Sequence, residues 1–466
     1  MSGATRIVII GGGFAGTTTA RHLEQMTRWR KDISVTLIDT ENFFTFTPLL
    51  PEVPSGSIQP KHIVFPLRAL LRRTRVRQAH VQQIDLERKV VVAAHCGKCA
   101  ADEISFDHLV ISLGAVTNYF RLPGVQEHAL TIKSLADATA LHAHLIDRLE
   151  HADLQSDPAV RRQLLTIVVA GGGFAGVETM AEINDFVRGS RHFYRNIRDD
   201  EIRMVLVHSG SRILPEVNRS LSDYAVNKLR KRGVLVMLDT RVLGCDSDVV
   251  RLSNGVNLPA GTFLWTAGTA PNPLLNEIDI AKSNTGRVAV EATMAAAERT
   301  DVWAIGDSAS IPDLVNGGFC PPTAQFALRQ GKVLAKNLIA TIDGKPKRGF
   351  KFKSLGLLAG LGRRSAVAEI LGLRFSGFVA WWLWRTIYLL KLPGFERKVR
   401  VAIDWTLDLF FPRDIVYLRP LHSTPGPSAI STDDGNLLGH LEQACEIASS
   451  SPVNSSGKNE TLTATK

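Results

Sequence analysis

Short runs of branched apolar residues, each ending at glycine or an acid and each followed by helical spacing, recur along this chain. Ile7-Val8-Ile9-Ile10 reads as a buried strand, and the residues from 14 to about 28 as a helix. Ser34-Val35-Thr36-Leu37-Ile38 is the next strand and ends at Asp39. The same succession restarts at Ile167-Val168-Val169-Ala170, and its second strand, Met204-Val205-Leu206-Val207, ends at His208-Ser209. A helix over 217–232 follows, then a return turn at Leu264-Trp265-Thr266-Ala267-Gly268 and a strand, Val302-Trp303-Ala304-Ile305, that opens into Gly306-Asp307. Strands at 80–95 and 103–113 flank a turn, and residues 61–77, with His62 and five arginines around Leu67, Leu70 and Leu71, read as an amphipathic basic helix. Strands alternating with helices predict an α/β fold.

The six residues GGGFAG stand at 11–16 and again at 171–176, in both places between a strand and a helix. Such a turn needs Gly11 and Gly171 for the bend, Gly13 and Gly173 for close approach to a pyrophosphate, and Gly16 and Gly176 for helix–strand packing. The helix then directs unpaired N–H groups at the phosphates. One copy fits any glycine turn in a packed α/β domain. Two copies in matching context point to two Rossmann-like dinucleotide-binding domains, and so to an enzyme passing electrons between two nucleotide cofactors. Asp39, about twenty residues past the last glycine, stands where an acid accepts hydrogen bonds from a ribose. The expected division is a first unit over 1–120 and 285–345, a second over 121–284, a C-terminal region over 346–420, and a tail rich in Ser, Thr, Gly and Pro over 421–466 that reads as disordered.

Composition narrows the picture. The 466 residues exceed what one core supports. A net charge of +10 and a pI near 9.5 raise nucleic acid, anionic membrane and anionic substrates as partners. No nucleic-acid module is present in the sequence, which leaves the other two. Five scattered cysteines do not make a secreted disulfide framework and point to a reducing compartment. Cys96-Gly97-Lys98-Cys99 has no second pair to complete a metal site, so no metal is expected, and an incidental turn is favoured over a surface redox pair. The first strand starts too early for a signal peptide, and the apolar tract at 376–392 is broken by Arg385 and Lys391, so no transmembrane span is expected.

Two further stretches carry chemistry. Phe43-Phe44-Thr45-Phe46-Thr47-Pro48-Leu49-Leu50 is too apolar for a surface loop and is expected to lie over a cofactor. Pro321-Pro322-Thr323-Ala324-Gln325-Phe326-Ala327-Leu328-Arg329-Gln330-Gly331 places proline at a helix start, with Gln325 and Arg329 on one face.

These motifs together resemble the two-dinucleotide-binding-domain flavoproteins, and within them the type II, or alternative, NADH:quinone oxidoreductases. The resemblance spans residues 5–420 and rests on the two GGGFAG turns, Phe46–Leu50, Trp265–Gly268, Ala304–Asp307, the Ala324-Gln325 helix and the tryptophan-rich end at 381–405. It implies that Gly11, Gly13, Gly16 and Asp39 hold the adenosine half of FAD, that Gly306 and Asp307 meet its ribityl chain, and that Thr47 and Ala324 line the same cofactor. The helix from Pro322 would aim its positive end at the flavin pyrimidine edge. Gly171, Gly173, Gly176, His208 and Gly268 would hold NADH. Glu178 matches the family's glutamate near nicotinamide and flavin, against the plainer role of a helix-end charge. Gln325, Arg329 and Gln330 fall at the quinone site. Two positions depart from the family. His208-Ser209 stands where NADH users often carry an acid, so NADPH stays open, and Arg329 stands where the family has a second glutamine.

The implied activity is hydride transfer from NADH to FAD, then two electrons to a membrane quinone without proton pumping. The C-terminal segment supports it. Four of the seven tryptophans fall at 381–405, interleaved with Arg385, Lys391, Arg397 and Lys398. Trp381, Trp382 and Trp384 with Arg385 and Lys391 describe an interfacial anchor, and a second helix over about 397–411 puts Val399, Ile403, Leu407 and Phe410 on one side. The expected location is peripheral, monotopic, on the cytoplasmic face of the cell membrane, against anionic lipid, with a second copy of the chain left open as a partner. The alternatives are another NAD(P)H-dependent flavoprotein reductase, for which Cys320 is the one candidate flavin-facing thiol, and an NADH-sensing flavoprotein with slow turnover.

Overall fold

A computed structural model describes residues 4–95 and 101–416 of the chain. The chain begins with β1 (Thr5–Ile10), α1 (Phe14–Met26), β2 (Ile33–Asp39), β3 (Arg75–Gln78) and β4 (His108–Ile111). After α2 (Leu135–Leu154) it repeats the plan with β5 (Thr166–Ala170), α3 (Phe174–Ser190), β6 (Arg203–Val207), α4 (Arg219–Lys231), β7 (Val234–Met237) and β8 (Thr262–Trp265). It then returns to the first unit through β9 (Val302–Ala304) and α5 (Ala324–Ile342). The C-terminal region is β10 (Gly356–Gly360), β11 (Ala366–Ile370), β12 (Leu373–Ser376), α6 (Gly377–Lys391) and α7 (Phe395–Phe410).

Two parallel sheets result. The first has the order β9-β4-β1-β2-β3 and the second β7-β6-β5-β8. Ile7, Val8, Ile9 and Ile10 are all buried, as strands covered on both faces require. In each sheet the glycine turn follows the strand at which the order reverses, so β1 and β5 both point their C-terminal ends into a crevice. The second unit has its own core, with Ile167, Val169, Met204, Leu206 and Leu264 among its buried residues.

Several local expectations are corrected. Residues 61–77 form no amphipathic helix. They are a 3-10 turn (Pro60–His62), a short strand (Val64–Pro66), one helical turn (Leu67–Leu70) and β3. Pro66 has no N–H to extend a helix through this stretch, and Arg75 and Arg77 sit on the edge strand. The expected strand over 80–95 is a hairpin, His80–Asp85 and Val90–Ala94, and that over 103–113 is Ala101–Ser105 and then β4. Pro322 does not open α5, which begins at Ala324 with Thr323 as its cap residue. The antiparallel sheet β10-β11-β12 had no counterpart in the sequence reading. Cys96–Cys99 and the 421–466 tail lie outside the described residues.

α1 and α5 pack at unusually short range because Gly331 has no side chain. A Cβ there would stand 2.7 Å from the Ala15 carbonyl oxygen and 3.0 Å from the Thr19 nitrogen. Gly331→Val is therefore expected to cost about 1–3 kcal/mol of stability, the range for overpacking a filled contact. Thermal unfolding of the two proteins side by side checks it.

Candidate active site

The two glycine turns are built alike down to single hydrogen bonds. Gly11 has φ +98° and Gly171 φ +118°, values that favour glycine, and a Cβ on Gly16 or Gly176 would lie 1.9 Å from the carbonyl oxygen of Gly11 or Gly171. A hydroxyl braces each turn from the neighbouring strand. Ser112 Oγ donates to the Ile10 carbonyl at 2.8 Å, and Thr266 Oγ1 to the Ala170 carbonyl at 2.8 Å. At Gly13 and Gly173 nothing lies within 4 Å of where a Cβ would be. The N-termini of α1 and α3 thus face open space, with no acid in either first turn. That donor set suits a pyrophosphate at each turn.

The strand ends also correspond. The Gly12 N–H donates to Asp39 Oδ2, and the Glu41 N–H to Oδ1 at 2.7 Å. The Gly172 N–H donates to His208 Nδ1 at 3.1 Å. An Nδ1 that accepts belongs to a neutral ring carrying its proton on Nε2, and burial lowers the His208 pKa in the same sense. A neutral ring nitrogen therefore accepts at the second turn, where a carboxylate oxygen of Asp39 accepts at the first. Arg212, the nearby cation, is committed to the Pro215 carbonyl and to the Val217 carbonyl at 3.5 Å. The sequence marked His208 as a departure but held no sign that it takes over the acid's bond to the turn.

At the other end of the first sheet, Gln330 is buried and its Oε1 accepts from the Gly306 N–H at 3.0 Å. Gln330, expected at the quinone site, thus turns its side chain to the turn that presents Asp307, whose carboxylate accepts no hydrogen bond among the described residues. Ala324 opens α5, and the buried Thr323 Oγ1 beside it has no partner, an orphan polar atom at the positive end of a 19-residue helix. This is donor chemistry suited to the electron-rich edge of a flavin. Gln325 Nε2 donates to Ser354 Oγ at 3.0 Å, while Arg329 Nη1 donates to the Gln325 carbonyl at 2.8 Å and the guanidinium lies 4.1 Å from the Phe352 ring centre. Thr47 is the exposed first residue of the 3-10 segment Thr47–Glu52, whose Leu49, Leu50, Pro51 and Glu52 are buried, and Phe44 and Phe46 are buried against Phe14. Gly268 lies under Phe120, whose ring would be 2.6 Å from a Cβ there.

Glu178 is buried on α3, and its Oε1 accepts from the Gly360 N–H at 2.8 Å and the Trp384 indole Nε1–H at 3.3 Å. Burial pushes its pKa up to about 8. Glu52, which the sequence did not single out, is its counterpart. Its Oε2 accepts from the Trp405 Nε1–H at 2.6 Å, and burial beside Glu182 likewise raises it to about 8. Burial thus favours the protonated, neutral form of both acids, each held by an indole.

Three of the expected membrane residues are consequently interior. Trp381 and Trp384 are 8 % and 4 % exposed, and the Arg385 guanidinium lies between them and α7, 4.3 Å from the Trp381 ring and 4.9 Å from that of Trp405. Trp384 turns inward to donate to the buried Glu178, and Trp381 packs against the Arg385 guanidinium. Trp382 is 56 % exposed, and Lys391 is exposed with it. Val399, Ile403, Leu407 and Phe410 all face outward from α7. Cys320 is a free, buried thiol pushed up to about 11 by burial, so it is not a thiolate at neutral pH.

The profile of the pyridine nucleotide-disulphide oxidoreductases matches residues 5–331, and that of the NDH2 C-terminal domain matches residues 355–414. A probable NADH dehydrogenase of Dictyostelium discoideum is 30% identical, with 88% of this chain and 90% of that protein covered. The demethylphylloquinone reductase NdbB of Synechocystis is 31% identical over 86% of this chain and 95% of its own length. The type II NADH:quinone oxidoreductase Ndh of Mycobacterium tuberculosis is 29% identical over 95% and 94%. In fold, the chain matches NDH2 from Plasmodium falciparum in complex with NADH with a TM-score of 0.83 at 22% identity, over 88% of this chain and 99% of that one.

The Glu52 pKa fixes a sign for stability. In the unfolded chain its proton leaves near 4.5, in the folded chain near 8. Below the lower value both states hold the proton; between the two only the folded state does, so stability falls as pH rises through that window and stays lowered above it. Glu52→Gln keeps an oxygen for the Trp405 indole and removes the titration. The variant is expected to gain on the wild type between about pH 5 and about pH 8, by on the order of 2 kcal/mol. Thermal unfolding at the two pH values measures it; a constant difference would contradict the buried neutral acid.

Proposed function

The chain belongs to the pyridine nucleotide-disulphide oxidoreductase family, and from that premise we propose how its residues perform the reaction of a type II NADH:quinone oxidoreductase. It takes electrons from NADH through FAD to a quinone. The observation that carries the assignment of residues is the doubled turn, with the same hydrogen bond from the middle glycine to a strand-end side chain in both copies. FAD, when bound, supplies the two-electron chemistry between nicotinamide and quinone. Gly11, Gly13, Gly16 and Asp39 hold its adenosine half, and Asp307 and the N-terminus of α5 meet its ribityl and ring portions. Gly171, Gly173, Gly176 and His208 hold the nicotinamide nucleotide. Glu178, neutral between the second turn and the C-terminal sheet, positions the nicotinamide and holds a proton for the acceptor side. Gln325 and Arg329 face the quinone, with Arg329 fixed by Phe352.

His208 makes no charge repulsion against a 2′-phosphate, but Arg212 is tied to backbone carbonyls and supplies no attraction either. NADH is accordingly the better donor. The reading of another flavoprotein reductase loses support from Cys320, a buried thiol that burial keeps protonated at neutral pH. Among the described residues no helix is long and apolar enough to cross a membrane. We place the outward apolar faces of α6 and α7 against the bilayer, on its cytoplasmic side, so that a lipid-soluble quinone and a water-soluble nucleotide reach the cofactor from different sides.

Purified protein should release FAD rather than FMN, because Asp39 is placed for a ribose that FMN lacks, and Asp39→Ala should retain less of it. Quinone-dependent oxidation should run faster with NADH than with NADPH in parallel assays. Absence of quinone reduction would defeat the function, and FMN in the released cofactor the assignment of Asp39.

For the membrane face, replacing Trp382, Ile403, Leu407 and Phe410 together by Ser should move the protein from co-sedimentation with anionic liposomes to the supernatant. Each outward apolar side chain contributes on the order of 1 kcal/mol of burial. Undiminished co-sedimentation would mean that this face packs against a second copy, which analytical ultracentrifugation of the same variant would show as a lost dimer.

A further inference from the structure

Reduction of a quinone by NADH consumes a proton from solvent: NADH + H+ + quinone gives NAD+ + quinol. The hydride carries two electrons and one proton, so the second proton must come from solvent to the acceptor. The structure contains a continuous set of proton-carrying groups on the side of Glu178 away from the glycine turn.

An open groove of about 110 Å3 lies between the loop after Glu52 and the end of α7, and Ser57, Asp404 and Asp408 are among its walls. From Ser57 the hydroxyls continue inward. Ser57 Oγ lies 3.0 Å from Ser55 Oγ, and both reach Glu182 Oε2, at 3.1 Å and 2.9 Å. Glu182 is one helical turn beyond Glu178 on α3 and therefore on the same face. Glu182, Glu52 and Glu178 all line one small cavity of about 10 Å3, room for a single water, whose walls also include Trp381 and Trp384. Every polar step from groove to Glu178 is thus a hydroxyl, a carboxyl or that cavity.

The charges around it are balanced for carrying protons. Arg413 donates to Glu182 Oε2 at 3.1 Å and to Asp408 Oδ1 at 2.8 Å, and Arg385 lies 3.7 Å from Asp408 Oδ2. Two guanidiniums therefore offset Glu182 and Asp408. Arg385 also faces Glu52, but burial outweighs it, so Glu52 and Glu178 favour their protonated forms, each with an indole on one oxygen. Beyond these, Arg232 is paired with Asp185, Tyr388 faces Glu178 from α6, and His142 on α2 reaches the Pro54 carbonyl at 3.0 Å. At the mouth of the groove, His62 Nδ1 is 2.5 Å from Asp404.

We propose that Ser57, Ser55, Glu182 and Glu52 form the route by which the solvent proton reaches Glu178, with Glu52 as the store nearest to it. This rests on the quinone-reducing function above. In each turnover the Glu178 O–H breaks toward the acceptor oxygen, which gains an O–H. The Glu52 O–H then breaks and its proton crosses the cavity to the Glu178 carboxylate. Glu52 is refilled through Glu182 and the serine hydroxyls from water in the groove. No electron moves along this path. Glu52 and the serines are positioning and proton-holding residues; none touches substrate.

The route is tested in the full-length holoprotein with Glu52→Gln, Glu52→Asp and Ser57→Ala. Infrared difference spectra give a readout that does not depend on turnover. The wild type should show deuterium-sensitive carbonyl bands of two protonated carboxylic acids; Glu52→Gln should lose one, and Trp405→Phe should shift that same band upward as its hydrogen bond is removed. With a short-chain quinone, Glu52→Gln and Ser57→Ala should lower kcat by roughly ten- to a hundredfold, with little change in quinone KM and a larger loss at alkaline pH. Glu52→Asp should recover part of it. Wild-type kcat and pH profile in Glu52→Gln would overturn the route, and so would a lost kcat with both infrared bands retained. If the wild type itself reduces no quinone, the proposed function falls and the route with it; if the wild type reduces quinone and the variants match it, the route alone falls.

Discussion

A missing side chain sets the geometry on which this protein depends. At Gly16 and again at Gly176 a single carbon would collide with the carbonyl oxygen five residues earlier, at 1.9 Å. Only because nothing is there can the helix start directly over the end of the strand, and only that approach aims the first N–H groups at one spot. The neighbouring groups complete it: Ser112 and Thr266 brace the bend from the next strand, and Asp39 and His208 catch the middle glycine N–H. The duplicated turns are therefore the same mechanical solution executed twice. The exchange of Asp for His shows which property the turn requires, an acceptor, and which it leaves free, the charge.

The second dependence runs through α3. Its N-terminus serves the second turn, while Glu178 and Glu182, one and two turns further on, bond to the C-terminal sheet, to α6 and to the segment after α7. The NDH2 C-terminal domain is thus fastened to the nucleotide helix by buried polar contacts as well as by apolar packing. Charges buried in this way are costly unless paired or neutral. Here Arg413 and Arg385 pair two of the acids, and the other two keep their protons. A packing device and a proton store are the same set of atoms.

Much of this was legible in the sequence where geometry forces residue type. A bend with positive φ calls for Gly11, and the match of two GGGFAG copies carried the fold and the family with it. The sequence failed where a partner far along the chain decides. Gln330 looked like a neighbour of the quinone residues until Gly306 claimed its side chain. Glu52 sat unnoticed in an apolar run, because nothing local reveals that Trp405, 353 residues away, donates to it. The short strands β10 to β12 carry too little alternation to be seen against the basic, apolar background of that region.

The tryptophan-rich end shows the same limit in its sharpest form. A cluster of indoles with interleaved cations has the composition of an interfacial anchor, but composition cannot divide a helix into its two faces. On α6 the indoles of Trp381 and Trp384 turn inward with Arg385, and only Trp382 turns out. On α7, Val401 and Trp405 are buried while Val399, Ile403, Leu407 and Phe410 are not. An amphipathic helix in water normally buries its broad apolar stripe and exposes its charges. Here the buried side of α7 carries Asp408 and an indole bonded to Glu52, while Val399, Ile403, Leu407 and Phe410 are exposed beside Glu396, Arg400 and Thr406. That inversion follows if the surroundings of the outer face are themselves apolar, and it leaves the inner face free to hold acids that a hydrocarbon environment would not tolerate unpaired.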